Sequence, residues 1–271
     1  MTNVAFLKSM AKRGEKIAML TCYDATFAKL MEAAGVDVLL VGDSLGMVMQ
    51  GKSSTLEVTM EDMEYHTRSV SNGVTRTMII TDMPFGSYEN DLDVALKNAR
   101  RLMAAGAHMV KLEGGGPMVD TARYLVENDI PVCAHLGFTP QSVNKLGGYR
   151  IQGKTEESAR QILDDARRMG EAGVDFVLLE MVPAALAKQI TDSIGTPTIG
   201  IGAGTDCNGQ VLVLQDLLGI YTGPADKDPH EFKSPRFVRN FLEHAGNIQQ
   251  AVSNYVKAVK EGSFPSSEHC Y

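Results

Sequence analysis

Tryptophan is absent from this 271-residue chain, cysteine occurs only four times, and aromatic residues make up 6%. Cys22, Cys133, Cys207 and Cys270 lie far apart with no C-x-x-C pair, which excludes a disulfide framework and a thiolate zinc site. They read as free thiols in a reducing compartment, so a cytoplasmic setting is expected. No apolar run approaches the ~18 residues of a membrane span. The first ten residues lack the charged, apolar and cleavage regions of a signal peptide, and no membrane partner is expected. Basic residues are outnumbered 26 to 33, for a net charge of -7, and are scattered along the chain. A groove that tracks nucleic-acid phosphates needs a basic stripe, so a nucleic-acid partner is not expected either. Small molecules remain.

What is present is an ordinary globular composition, 44% hydrophobic and 22% charged. Short apolar runs alternate with amphipathic stretches from end to end. Strands are predicted at 16–22, 37–41, 77–81, 108–112, 131–136, 175–179, 197–201 and 210–214. Helices are predicted at 25–34, 61–72, 93–105, 118–128, 155–172 and 184–193. The strand runs are continuously apolar, as expected when helices cover one face and a core the other. Three helices end in Ala-Gly (Gly35, Gly106, Gly173), with glycine where a C-cap favours positive φ, and a strand follows at once. Eight such units in about 220 residues predict an α/β fold, a (β/α)8 TIM barrel, with a doubly wound open sheet as the structural alternative. The chain reads as a single domain over 1–271 with a helical tail at about 234–262. Two long loops, 46–59 and 137–154, would sit at the C-terminal mouth, where barrel enzymes keep their chemistry.

The strands end in acids. Asp43, Asp82, Glu113 and Glu180 each close an apolar run at its C-terminal end. Alternation puts Lys111 and Glu113 on one face, pointing inward, and pairs Cys133 with His135. An Asp after a strand is often the N-cap of the next helix, a reading open for Asp43 or Asp82 singly; glutamate caps poorly. Four acids at one mouth with a single lysine would repel unless protonated or neutralised, and a bound cation is the economical remedy. Oxygen ligands favour a hard ion, Mg²⁺ or Mn²⁺, over zinc. Such an ion chelates a 2-oxo acid and acidifies the adjacent C–H, and a nearby carboxylate serves as base. Lys111 is the one candidate for a Schiff base, but beside Glu113 it should stay charged and pair with substrate instead. His135 is open between a core histidine and a direct role. Tyr23-Asp24 reads as a helix cap or a support to the site. The run Gly200-x-Gly202-x-Gly204 lacks the third glycine spacing of a dinucleotide fingerprint and suggests close backbone approach to a ligand.

The chain resembles the ketopantoate hydroxymethyltransferase family over about 16–261. The resemblance rests on Leu20-Thr-Cys-Tyr-Asp24, Val41-Gly-Asp-Ser-Leu-Gly-Met47, Asp82-Met-Pro-Phe85 and Met109-Val-Lys-Leu-Glu-Gly114. Ala134-His-Leu-Gly-Phe-Thr-Pro-Gln-Ser142, Leu179-Glu-Met-Val-Pro183 and Ile199-Gly-Ile-Gly-Ala-Gly204 complete it. It implies a transferase of pantothenate biosynthesis that moves a hydroxymethyl group from 5,10-methylenetetrahydrofolate to 2-oxoisovalerate on a TIM barrel. It implies magnesium on Asp43, Asp82 and Glu113, and substrate contacts from Asp43, Ser44, Asp82 and Lys111. It implies Glu180 as the catalytic proton acceptor, and a homo-oligomer, commonly a decamer in bacteria. The segment 222–233 is longer and more polar than the family leads one to expect. The rival enzyme reading is a magnesium-dependent 2-oxo acid lyase or mutase of the isocitrate lyase type, against which stands the lack of a reactive-cysteine motif in a mouth loop.

Overall fold

A computed structural model describes residues 2–224, 228 and 230–271. Eight parallel strands close into a barrel in chain order: β1 (Ile17–Thr21), β2 (Val38–Val41), β3 (Met78–Asp82), β4 (Met109–Glu113), β5 (Val132–Gly137), β6 (Phe176–Glu180), β7 (Thr198–Ile201) and β8 (Gly209–Leu212), with β8 pairing back onto β1. The helices are α1 (Val4–Lys12), α2 (Ala25–Ala34), α3 (Leu45–Val48), α4 (Met60–Ser71), α5 (Leu92–Ala104), α6 (Met118–Glu127), α7 (Val143–Leu146), α8 (Glu156–Glu171), α9 (Ala184–Ser193), α10 (Leu214–Leu217) and α11 (Ile248–Lys260).

The barrel expected from the apolar runs is the fold observed. β3, β4 and β6 run one residue further than the runs suggest, because their terminal acids belong to the ladder: Asp82 pairs with Lys111, Glu113 with His135, and Glu180 with Gly137. Gly35, Gly106 and Gly173 all have positive φ, as their place after a helix predicts. α4 and α8 open with capping boxes, Thr59 with Asp62 and Thr155 with Ser158.

Three features depart from the even repeat. No helix joins β7 to β8 among the described residues. α1 has no counterpart in the pattern, because its buried residues, Leu7 and Met10, are too few to form a legible stripe. Its ties, Thr2 N–H to Arg76 O at 2.8 Å and Lys8 Nζ to Asp175 at 2.6 Å, reach the starts of β3 and β6, so it lies against the N-terminal end of the barrel. The tail is helical only over Ile248–Lys260, not from about 234 to 262. Residues 234–247 form turns: the Asn240 side chain accepts from the Leu242 and Glu243 N–H groups, and Asn247 caps α11. Phe237 and Phe241 are buried nonetheless, so their spacing reports burial and not helix. α11 fills the place of an eighth barrel helix, packing on α2 and β1, with the Tyr255 hydroxyl 2.9 Å from Met19 O and 3.0 Å from Gln210 O across the β1–β8 seam.

Near the end of α2, the Glu32 carboxylate accepts from the N–H groups of Thr75, Arg76 and Thr77 and from both threonine hydroxyls, fixing the entry to β3. Partial burial raises its pKa, but these bonds outweigh it and bring the group down to about 2. A depressed folded pKa contributes stability that is complete above the ordinary carboxylate range and fades as pH falls toward 2. Glu32→Gln is expected to cost about 1–2 kcal/mol at pH 7, moderated by water access. Denaturant unfolding at pH 7 and pH 3 checks this: the gap between variant and parent should narrow at pH 3.

Candidate active site

Asp43, Ser44, Asp82, Lys111, Glu113, His135 and Glu180 line one cavity of about 530 Å³ at the C-terminal mouth of the barrel. The strand ends converge there because the barrel is closed and parallel. Lys111 and Glu113 line the cavity while Val110 and Leu112 do not, so alternation turns both inward as expected. Asp43 and Asp82 cap no helix; α4 is capped by Thr59 and α5 by Asp91.

Lys111 is the hub. Its Nζ lies 3.3 Å from Asp82 Oδ1, 3.6 Å from Glu113 Oε1 and 3.2 Å from His135 Nδ1. Burial alone would lower its pKa, but the charges of Asp82, Glu113 and Asp43 raise it above the ordinary lysine value. It is therefore a fixed cation, unsuited to Schiff-base attack. Burial, the leading cause for each, raises all four acids: Asp43 to about 6, Asp82 to about 7, and Glu113 and Glu180 upward. The charge of Glu113 adds to the effect on Asp43, and the charges of Asp43 and Glu113 add to that on Asp82.

His135 is held near 4, first by burial and then by Lys111, so the ring is neutral near pH 7. A charged ammonium only donates, which makes Nδ1 the acceptor and places the ring proton on Nε2. With that tautomer, Glu113 Oε1, 3.2 Å from Nδ1, is held there by the shared ammonium. Nε2 lies 3.2 Å from Glu180 Oε2, off the line of a full hydrogen bond. His135 thus faces the site directly.

Several supports escape a reading of strand ends. Gln141 donates from Nε2 to Asp43 Oδ2 at 2.8 Å and to Met83 O at 3.0 Å, while its N–H donates to Glu113 Oε2 at 2.9 Å. Tyr88 donates to Gln141 Oε1 at 2.6 Å and accepts from the Glu113 N–H. The only sequence signal for Gln141 was its place in a block shared with the family. Tyr23 bonds Ser44 at 2.8 Å, whereas neighbouring Asp24 caps α2, so the two readings of that pair are divided between its members. Within the glycine run Gly202 makes room for the protein's own tail: a Cβ there would meet Phe237 at 2.9 Å and Tyr271 at 3.0 Å. Both rings line the cavity. The segment 222–233 falls partly outside the described residues; of it, Pro224, Phe232 and Lys233 reach the cavity wall.

Among the described residues no three His, Cys, Asp or Glu side chains make a ready-formed metal cage. Magnesium asks for less, taking one or two carboxylates and completing its shell with water and substrate oxygens. Asp43 and Asp82 suit that, adjacent through the Asp43 N–H to Asp82 Oδ2 bond at 3.0 Å, with Asp82 Oδ1 buried, accepting no hydrogen bond and facing only the Lys111 ammonium at 3.3 Å among the described residues. Both Glu113 oxygens already have polar neighbours. Gln141→Leu should loosen Asp43 and lower Mg²⁺ or Mn²⁺ affinity about 10- to 100-fold, as measured by Mn²⁺ titration.

Fold and site together define a (β/α)8 barrel enzyme whose reacting groups stand on strand ends. The chain belongs to the ketopantoate hydroxymethyltransferase family, whose sequence profile matches residues 1–267. It is 58% identical, over 99% of both chains, to the 3-methyl-2-oxobutanoate hydroxymethyltransferase of Methylobacillus flagellatus. It is 59% identical to that of Azoarcus sp., over 98% of this chain and 95% of the relative. Among solved structures, a putative phosphonomutase from Burkholderia cenocepacia superposes with a TM-score of 0.64 at 16% identity, covering 81% of this chain and 96% of that one. Phosphonopyruvate hydrolase with oxalate and Mg²⁺ superposes at 0.60 and 14% identity, covering 79% and 81%. These structures share the fold.

Proposed function

We propose that this chain transfers a hydroxymethyl group from 5,10-methylenetetrahydrofolate to 2-oxoisovalerate, giving ketopantoate for pantothenate synthesis. The observation that carries this is one buried cavity holding a permanently charged lysine, paired acids and, on β6, a separate carboxylate of raised pKa. Asp43 and Asp82 would hold a divalent ion, Mg²⁺ by preference for oxygen donors, with Glu113 the third acid of the set. Bound there, the ion supplies Lewis acidity that makes the C–H beside a keto group easier to ionise.

The chain's own groups do the rest. Lys111 neutralises the substrate carboxylate or the developing enolate, and Ser44, steadied by Tyr23, offers a hydroxyl to the same anion. Glu180 takes the C3 proton; its raised pKa brings it nearer the operating pH, where a general base works best. The Nε2–H of His135 orients that carboxylate. Water cleaves the two C–N bonds of the folate's methylene carbon, releasing tetrahydrofolate and leaving that carbon at the formaldehyde level. The carbon nucleophile attacks it to form the new C–C bond, and that carbon's oxygen takes the proton held by Glu180 to become the hydroxyl.

The isocitrate lyase type of chemistry is supported at the level of fold alone. Residues 1–271 would work as one barrel domain, α11 included, with a homo-oligomer and a cytoplasmic setting as parts of the same reading. No helix among the described residues is long and apolar enough to cross a membrane. The test is exchange of the C3 proton of 2-oxoisovalerate in D₂O, with metal and without folate, followed by NMR. Exchange is expected; its absence would remove the enolisation step.

A further inference from the structure

The cavity is larger than a 2-oxo acid explains. Its volume of about 530 Å³ lies in the ~300–1,000 Å³ range of sites for drug-sized ligands, well beyond the needs of a five-carbon acid. On its wall, outside the cluster around Lys111, stands another carboxylate, Asp216 of α10. Among the described residues Asp216 makes no side-chain hydrogen bond and no ion pair, and it caps no helix. Burial, the sole cause, raises its pKa to about 6, a cost that no partner among the described residues offsets.

The position is rigid. Leu214 and Leu217 are buried beneath α10, and the Leu214 N–H donates to Thr21 Oγ1 at 2.9 Å, pinning the turn to the end of β1. Gln215 Nε2 reaches Met49 Sδ at 3.5 Å, and Tyr149 OH reaches Met47 Sδ at 3.6 Å, so α3 is tied to both α10 and the loop after β5. Met47, Val48, Tyr149 and Tyr221 share the cavity wall with Asp216. The Tyr149 phenol, pushed up to about 12 mainly by burial, also feels the charges of Glu180, Asp43 and Asp216, so its ring is in range of both acidic ends.

An unpaired carboxylate repels a 2-oxo acid. It accepts instead from a ligand with two adjacent, parallel N–H donors on a flat, largely apolar ring, because both oxygens are then satisfied together. We infer that Asp216 anchors the 2-amino-4-oxopyrimidine edge of the reduced pterin, accepting from its N3–H and 2-amino groups. The inference rests on the folate reading of the proposed function and adds the residue that recognises the co-substrate.

The experiment uses the full-length enzyme, with tetrahydrofolate and its 2-desamino-2-methyl analogue as probes, by calorimetry in the presence of Mg²⁺ and 2-oxoisovalerate. The parent enzyme should bind the analogue about 10- to 100-fold more weakly, the loss expected for hydrogen bonds to a charged acceptor. Asp216→Asn should weaken tetrahydrofolate binding by a similar factor and discriminate little between the two. C3 exchange, which needs no folate, reports whether the variant is folded; should it not fold, the analogue comparison on the parent enzyme decides alone. Equal binding of both probes by the parent overturns the assignment of Asp216 and leaves the folate reading intact. So does undiminished tetrahydrofolate binding by Asp216→Asn. An enzyme that exchanges C3 protons yet binds no tetrahydrofolate overturns the folate reading, and this inference with it.

Discussion

Glu180→Gln is expected to lower C3 proton exchange of 2-oxoisovalerate by about 10²- to 10⁴-fold, the usual contribution of a positioned general base. Glutamine keeps the shape and a hydrogen-bonding oxygen toward His135 Nε2, so substrate binding should survive while proton removal does not. The parent's pH profile gives a second reading. Burial holds the Glu180 carboxyl above its ordinary value, and the base must be ionised to act. Exchange should therefore rise with pH through an apparent pKa above the usual carboxylate range, and this limb should vanish in the variant. Exchange at parental rates would move the base elsewhere in the cavity.

Lys111→Met should damage both chemistry and stability. The side chain is buried among Asp82, Glu113 and His135, and its removal leaves buried acids without their shared cation. Breaking such a cluster costs about 3–5 kcal/mol. The sign of the pH dependence is distinctive. Without the ammonium the folded pKa values of Asp82 and Glu113 rise further above their unfolded values. The folded state then binds more protons than the unfolded chain, and stability falls as pH increases between the two values. Denaturant midpoints in the presence of a chelator should show the variant weakest at pH 8 and partly recovered at pH 5. Added Mg²⁺ should recover some of the loss at pH 8. A pH-independent deficit would mean that lost packing, not charge, is responsible.

How far the site was legible follows from how each residue enters it. Asp82, Glu113, Lys111 and Glu180 are readable because a strand imposes a two-residue alternation and a closed parallel barrel brings all strand ends to one mouth. Gln141 lies on the loop after β5, where no periodicity applies, and its bonds to Asp43 and Met83 span 98 and 58 positions. Asp216 follows β8 in a four-residue helix, and its lack of a partner among the described residues is visible only once the wall around it is assembled. Tyr271 comes back to the mouth because its carbonyl accepts from Ala184 N–H at the start of α9, a contact no local pattern announces. The glycine run after β7 misleads for the same reason: it invites close approach without saying by what.

The scarcity of cysteine, the lack of a basic stripe and the eight apolar runs were enough, without coordinates, to define a barrel with acids at its strand ends. Those features are local: composition, alternation and strand termini are written into consecutive residues. Tertiary structure alone decided which groups share a proton, a cation or a void. It showed Lys111 as the hub of three neighbours, His135 neutral, the tail as turns ahead of one helix, and Asp216 on the cavity wall without a partner among the described residues. Charge and burial act through space, and in a closed barrel the groups that meet come from strands many tens of residues apart.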